Sequence, residues 1–471
     1  MNVRTMTTRE RYLSIVRKHQ LDPLSPGSPA MWSPRLEAAP RQRIEEIQSE
    51  KIAAAFDYLF EESPYYRARY GAAGLAPGAV RSIADLPKIP VTRKLDWIPD
   101  IIAHRPWGTF SPLSEDRWRT AGWMIFSTSG TTLLPRVFRH TTHDQEMWGW
   151  MCARALWSYG VRTGQLAVNC FYYGPSVAAW GLHEGLRRIG CTVVAAGSMS
   201  AERRALHIKL LRPQVLLGTP STLLTLGRYM TDLGEDPACV GVKILVCAGE
   251  PGAAVWSTRK RLETLWGANV HDDFGCTEVA MAPLGYTCAA ASACTEPPVG
   301  VHLMEDAVIV EVLDPESLEP VAPGSRGTLV VSNLYSESAP FLRFDMGDWI
   351  SITQAPCPCG RTHARALGGL LGRNDNCLKV KGLQFFPSTF ENALRSIDGT
   401  GDEYRLEILA GDRVVIVAEQ RPEMTLLPEE VGAKLRRLLG ISVEVQLLHA
   451  GALPRTEGKG ARFFDRRSPP Q

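Results

Sequence analysis

"QLAVNCFYYGPSVAAWGLHEGLRRIGCTVVAAG" (residues 165–197) decides the fold class. A strand-like run, QLAVNC, gives way beyond Gly174 and Pro175 to apolar residues at helical spacing. Gly190 closes that helix, and a second strand-like run, CTVVAAG, follows. Period two, then 3.6, then two again marks a strand–helix–strand unit. The pattern continues on both sides. Downstream come a helix ending before "RP" (212–213), the strand QVLLG (214–218) and a helix opening at TPST (219–222). The strand KILVCAGEP (243–251), the helix AAVWSTRKRLETLWG (253–267) and NVHDDFG (269–275) follow. Upstream, WMIFS (123–127) and RVFRHT (136–141) read as strands. HDQEMWGWMCARALWSYG (143–160) reads as a helix with Met147, Trp150 and Met151 near one stripe. Such alternation predicts an α/β domain with a largely parallel sheet.

The texture changes after HLMEDAVIVEVLDP (302–315). GTLVVSNL (327–334) and FLRFDMGDWISI (341–352) are strands and turns, so a β-rich, more antiparallel subdomain is expected. Beyond LGRNDN (371–376) a fresh pattern begins: strand CLKVKG, helix STFENALRSI with Ser388 as N-cap, hairpin YRLEILAGDRVVIVAE, helix PEEVGAKLRRLLG, strand SVEVQLLHAG. The expected division is a large N-terminal α/β unit, 1–372, and a small, mobile α+β unit, 373–471.

With 471 residues the chain exceeds one compact core. Its net charge of +2 gives no electrostatic case for nucleic acid or an anionic membrane. The first twenty residues hold no uninterrupted apolar core, and no run of about 18 apolar residues exists to span a bilayer. Eleven cysteines without a framework spacing suggest reduced thiols. A cytoplasmic protein is expected.

One stretch carries chemistry before any comparison is made. FSTSGTTLLPRVFRH (126–140) clusters hydroxyls and one glycine, then turns apolar and basic. A Walker loop joins a strand to a helix, whereas this run lies between two strands, so no helix dipole is on offer. Thr128, Ser129, Gly130, Thr131 and Thr132 can still wrap a polyphosphate through hydroxyls and backbone N–H groups. A solvent-exposed hairpin turn is the competing reading.

Five further stretches bear on that choice: CAGEPG (247–252), DDFGCTE (272–278), RFDMGD (343–348), LGRNDNCLKVKG (371–382) and LPRTEGKGARFFD (453–465). In this order and spacing, over nearly the whole chain, the set resembles the adenylate-forming superfamily of acyl-CoA synthetases, nonribosomal adenylation domains and luciferases. The helical YLFEESPYYRARY (58–70), PVGVHLMED (298–306), CPCGRT (357–362) and GLQFFPSTFENAL (382–394) narrow it to the phenylacetate–CoA ligase branch.

The resemblance implies roles. The loop 128–132 would hold the β- and γ-phosphates of ATP. Gly249, Glu250 and Pro251 would line the adenine and acyl pockets, with Asp273 and Gly275 also on the nucleotide side. Phe274 would stack on adenine, and Thr277 would contact the α-phosphate. Glu278 would hold Mg²⁺. Asp348 would accept the ribose hydroxyls with Arg373 beside it, and Asp375 would be the hinge. Lys459 would be the mobile catalytic lysine that stabilises the charge-rich transition state. Leu133, Arg136 and Asn376 depart from the common pattern, which bears on how the loop closes.

Within CPCGRTH, a C-x-C pair suits one metal ion better than a disulfide. The resembled branch pairs it, in some members, with an upstream cysteine and a histidine. Here Cys357, Cys359 and His302 fit, and Cys288 is preferred over Cys294 for the fourth position. A closed Cys₃His site would be structural Zn²⁺. For the acid, the aromatics of CFYYGPSVAAWG (170–181), namely Phe171, Tyr172, Tyr173 and Trp180, are either a pocket wall for an aryl group or core. The implied activity is adenylation of an aromatic acid, then transfer to the thiol of coenzyme A. Carrier-protein thiols, amines or inorganic nucleophiles are alternative acceptors in secondary metabolism, and a silent nucleotide-binding relative is a third reading. A homodimer is among the expectations.

Overall fold

The computed structural model describes residues 6–128, 136–250, 252–278, 280–292, 294, 296–373, 378–380, 383–385, 387–454 and 462–467. At its centre lies a nine-stranded mixed sheet. Five strands run parallel, in spatial order Thr192–Ala195, Leu166–Asn169, Val215–Gly218, Ile244–Cys247 and Asn269–Cys276. From the second of these the chain first steps outward and then back past its start. That reversal is the switch point at which α/β sheets gather ligands beyond their strand ends. Ala280–Tyr286, Gly300–Leu303, Arg365–Leu367 and Ile352–Thr353 extend the same sheet antiparallel. The opening sequence is thus a strand, the helix Val177–Ile189 and a strand. Gly190 ends that helix at φ 90°, a left-handed conformation that favours glycine.

The helix Thr142–Ser158 is capped by Thr141, whose side chain accepts from the Asp144 N–H. It is buried on nearly every side rather than along one stripe, because sheet, hairpin and N-terminal helices all close on it. The β-rich subdomain has Val308–Leu313, Gly327–Asn333 and Phe344–Ile350 antiparallel in turn. Two short segments join its last strand: Thr92–Arg93, parallel, and Gly372–Arg373, antiparallel.

In the small lobe, Val443–Leu448, Arg413–Gln420, Thr400–Leu409 and Phe463–Asp465 form one sheet with its own core. One helix there starts at Pro387, so Ser388 lies inside it rather than capping it. Proline at the first helical position costs no hydrogen bond, which is why the start falls there. The lobe docks on the helix Trp256–Trp266. Arg261 donates to the carbonyls of Arg395, Thr400 and Gly401, each at 3.3 Å, and Ser257 Oγ lies 3.1 Å from Asn392 Oδ1. No described helix is long and apolar enough to cross a membrane.

Candidate active site

The strands Gly122–Ser127 and Val137–Thr141, both expected from the sequence, pair antiparallel. The Thr128 N–H donates to the Arg136 carbonyl at 3.0 Å, so the pair stays zipped up to the loop's mouth. Thr128 Oγ1 is buried with no hydrogen-bond partner among the described residues, an arrangement that favours a missing polar ligand over a solvated turn. Ser129, Gly130, Thr131, Thr132 and Leu133 lie outside the described residues, as do Pro251, Asp375 and Lys459.

Arg136 reaches from the hairpin to Glu278, Nη2 to Oε1 at 3.2 Å. Lys94 meets the same oxygen from the other side at 3.5 Å. Glu278 is 3% exposed, so two cations converge on one buried carboxylate. The pair of charges overcompensates it, which leaves a positive field at the loop's mouth. Lys94 escaped the sequence reading. It follows a two-residue strand that pairs with Phe344–Ile350, some 250 residues away, and nothing periodic marks it.

Asp348 and Arg373 sit directly opposite each other in the strand register, with Oδ2 and Nη1 3.6 Å apart. Arg373 also donates to the Met346 carbonyl at 3.3 Å. The intervening Gly347 has φ 73°, a left-handed backbone that favours glycine just before Asp348. Phe274 lies flat over Gly285; any Cβ there would fall 2.2 Å from the ring, so glycine is what seats the aromatic. Gly275 follows within the strand and Thr277 in the turn beyond it. Gly249 has φ 85°, and a Cβ on it would meet Thr219 and Phe171. Glu250 accepts the Ser221 N–H at 2.6 Å at the start of the helix Pro220–Asp232, and burial raises its carboxyl above the usual range. Asp272 takes backbone N–H groups of Ala253 and Ala254, yet burial pushes it up to about 7.

The aromatic stretch divides. Tyr173 stands edge-on to Trp180 at 5.1 Å between ring centres; its hydroxyl accepts from Asn169 Nδ2 at 2.9 Å and meets His183 Nδ1 at 3.1 Å. Phe171 is buried beside Gly249. Tyr172 is 64% exposed and does not join them. Asn169 Oδ1 accepts the Phe171 N–H and fixes a turn whose next side chain points outward.

Cys288, His302, Cys357 and Cys359 come together, their ligand atoms all within 4.8 Å of one another. The Cys288 and Cys357 sulfurs are 3.8 Å apart, and Cys359 Sγ lies 3.3 Å from His302 Nε2. A disulfide needs about 2.05 Å. Two thiolates at about 2.3 Å on one tetrahedral ion stand about 3.8 Å apart. His302 Nδ1 donates to the His363 carbonyl, which leaves Nε2 free to ligate. Hydrogen bonds from Cys288 and Cys357 hold the Cys359 thiol well below its ordinary range. Cys294 turns away, its sulfur on the Glu296 carbonyl at 2.8 Å.

A hydroxyl-rich hairpin mouth, a cation-flanked glutamate, a carboxylate–arginine pair beside a sheet edge and a docked small lobe define an adenylate-forming enzyme. Comparison with known proteins agrees. Residues 116–335 match the model of the AMP-binding enzyme family, and residues 382–467 match the AMP-binding enzyme C-terminal domain. The chain is 32% identical to phenylacetate-coenzyme A ligase of Thermus thermophilus over 93% of its own length and 100% of the relative's. To the Escherichia coli protein of that name it is 28% identical, over 92% and 97%. A solved 2-hydroxyisobutyryl-CoA ligase in the postadenylation state, bound to 2-HIB-AMP, superposes with TM-score 0.87 at 27% identity, covering 94% of each chain. The same ligase in its thioesterification state, with 2-HIB-AMP and CoA, gives 0.71 at 26% identity over the same coverage. The chain belongs to the AMP-binding enzyme family, on its phenylacetate–coenzyme A ligase branch, and is by class an AMP-forming acid–CoA ligase. Its lobes are arranged more as in the postadenylation state of that relative than as in the thioesterification state.

Proposed function

We propose that this chain adenylates an aromatic carboxylic acid with ATP, releasing pyrophosphate, and then passes the acyl group to the thiol of coenzyme A. One observation carries the reading: Lys94 and Arg136 converge on the buried Glu278 at the mouth of the 128–136 loop. The two cations would attract the polyphosphate, and because both meet Oε1, Oε2 is the oxygen left to face a metal ion. Mg²⁺, when bound, neutralises charge on phosphate oxygens, and Glu278 is the residue that would hold it.

The roles are those that the family resemblance implies. The hydroxyls and N–H groups of Thr128, Ser129, Gly130, Thr131 and Thr132 orient the β- and γ-phosphates. Thr277 meets the α-phosphate. Gly249, Glu250, Pro251 and Gly275 border the nucleotide, Phe274 stacks on its base, and Asp348 with Arg373 holds the ribose diol. Lys459 enters from the small lobe to balance charge as the carboxylate attacks. Phe171, Tyr173 and Trp180 face the aryl ring. The chain divides near Arg373, with Asp375 as the hinge of the second half-reaction. Cys288, His302, Cys357 and Cys359 hold structural Zn²⁺, since four donors close the coordination sphere and leave no open position.

ATP–pyrophosphate exchange over a panel of aryl acids tests the first half-reaction. Product analysis with CoA, a phosphopantetheinylated carrier protein and amines in competition tests the second. Exchange that depends on the acid, followed by acyl-CoA as the main product, is expected. ATP binding without exchange for any acid would mean a silent relative.

A further inference from the structure

We infer that Asp273 reads a hydrogen-bond-donating substituent, an amino, hydroxyl or ring N–H group, on the aryl acid; this rests on the ligase reading above. Asp273 lies on the strand Asn269–Cys276, where the parallel register Cys247↔Asp272 puts it level with Ala248, one residue short of Gly249. Side chains alternate along a strand, so Asp273 faces away from Asp272 and Phe274, on the side of His271. That side is covered by the helix Thr142–Ser158 and the residue after it: the Tyr159 ring stacks on His271 at 4.6 Å. Asp273 therefore looks away from Asp272, whose carboxyl is tied to the backbone of 253–254. It sits at the sheet end that also carries Phe171 and Gly249.

Its surroundings do not satisfy it. Asp273 is 7% exposed, and its Oδ2 has no hydrogen-bond donor among the described residues. The groups that share its field are Asp272, Cys152 and Tyr159, and none is a cation. Burial, and then the Asp272 charge, push its carboxyl well above the usual range. Leaving a buried acceptor unpaired destabilises the fold, and an apolar side chain of similar size would serve packing better. That cost is offset by a substrate that brings a donor to this point. An acid lacking it leaves the buried Oδ2 unpaired, which is the strongest form of discrimination that a site of this kind can make. The resemblance put Asp273 on the nucleotide side; its unpaired oxygen and its strand face favour the acid.

The test uses ATP–pyrophosphate exchange with full-length protein on matched pairs: benzoate and phenylacetate against their amino- and hydroxy-substituted counterparts. The wild type should favour the best donor-bearing acid over its unsubstituted partner by about a hundredfold in kcat/KM. In Asp273→Val that ratio should fall to within about threefold of unity. Asp273→Asn, nearly isosteric and still an acceptor, should melt as the wild type does and keep a preference for hydroxylated acids. A wild type active on aryl acids but indifferent to the substituent, or a Val variant that keeps the wild-type ratio, overturns this inference alone. A wild type inert toward every acid overturns the ligase reading and this inference with it.

Discussion

The cysteine–histidine cluster and the candidate nucleotide site both gather residues from distant segments, yet the protein treats them differently. In the cluster, three sulfurs and one imidazole meet within 4.8 Å, and the histidine's other nitrogen is already engaged. In the candidate nucleotide site, groups are left wanting: Thr128 Oγ1 has no partner among the described residues, and Glu278 faces more positive charge than it can cancel. The first arrangement, read as the structural metal site proposed above, would be complete once an ion is in place and would serve rigidity. The second is unfinished without a visitor, which is what a site that must bind and release requires.

Experiments that break the comparison range from large to small effects. Lys459→Ala should lower acid-dependent pyrophosphate release by at least about a thousandfold, read in a coupled phosphate assay, while leaving the melting profile unchanged. A smaller loss would mean that the candidate nucleotide site alone supplies the charge. Glu278→Gln should cost about a hundredfold in exchange rate and weaken the dependence on Mg²⁺ concentration. An unaltered magnesium titration would remove it from that role. Cys357→Ser should yield protein without zinc by elemental analysis and lower Tm by on the order of 5–10 °C. Wild-type protein free of zinc as purified would dismiss the metal. Arg261→Ala removes the donor to three small-lobe carbonyls. It should slow exchange several-fold yet spare the conversion of preformed acyl-AMP to thioester, because the contact belongs to the lobe arrangement seen here.

The smallest effect concerns pH. Asp272 has its carboxyl raised to about 7 by burial, against the pull of Arg259 from the helix Trp256–Trp266. A raised carboxylate means that the folded form holds the proton longer than the unfolded one. This group's contribution to stability is therefore present below about pH 4 and lost as pH rises to about 7. Asp272→Asn should flatten the slope of Tm against pH across that window by an amount on the order of a few kcal/mol in ΔG. An unchanged slope would show that the group titrates elsewhere.

Sequence reading carried far where information is local. Period and glycine placement gave the strand–helix–strand core, because Gly190 must end its helix wherever the sheet goes. The motifs at strand ends were legible because parallel strands deliver their loops to one edge. Cys288 and Cys294 were harder to separate, since counting along the chain cannot say which thiol turns inward. The exposure of Tyr172 was not legible, because the turn anchored by Asn169 gives adjacent aromatics different surroundings. Lys94 was invisible, since its position depends on a two-residue strand that finds its partner across most of the chain.

The short segment Gly372–Arg373 pairs with Phe344–Ile350, so Asp348 and its partner belong to the same sheet although they flank the junction between the units. A small lobe swinging beyond that point would leave this pair undisturbed. If Asp348 and Arg373 hold the ribose as proposed, the sugar of the hydrolysis-prone mixed anhydride would stay gripped by a stationary edge while everything on the far side of the proposed junction is exchanged. The enzyme would thus change its tools without setting down the workpiece, and loosening that two-residue seam should show up first as leaked acid and AMP.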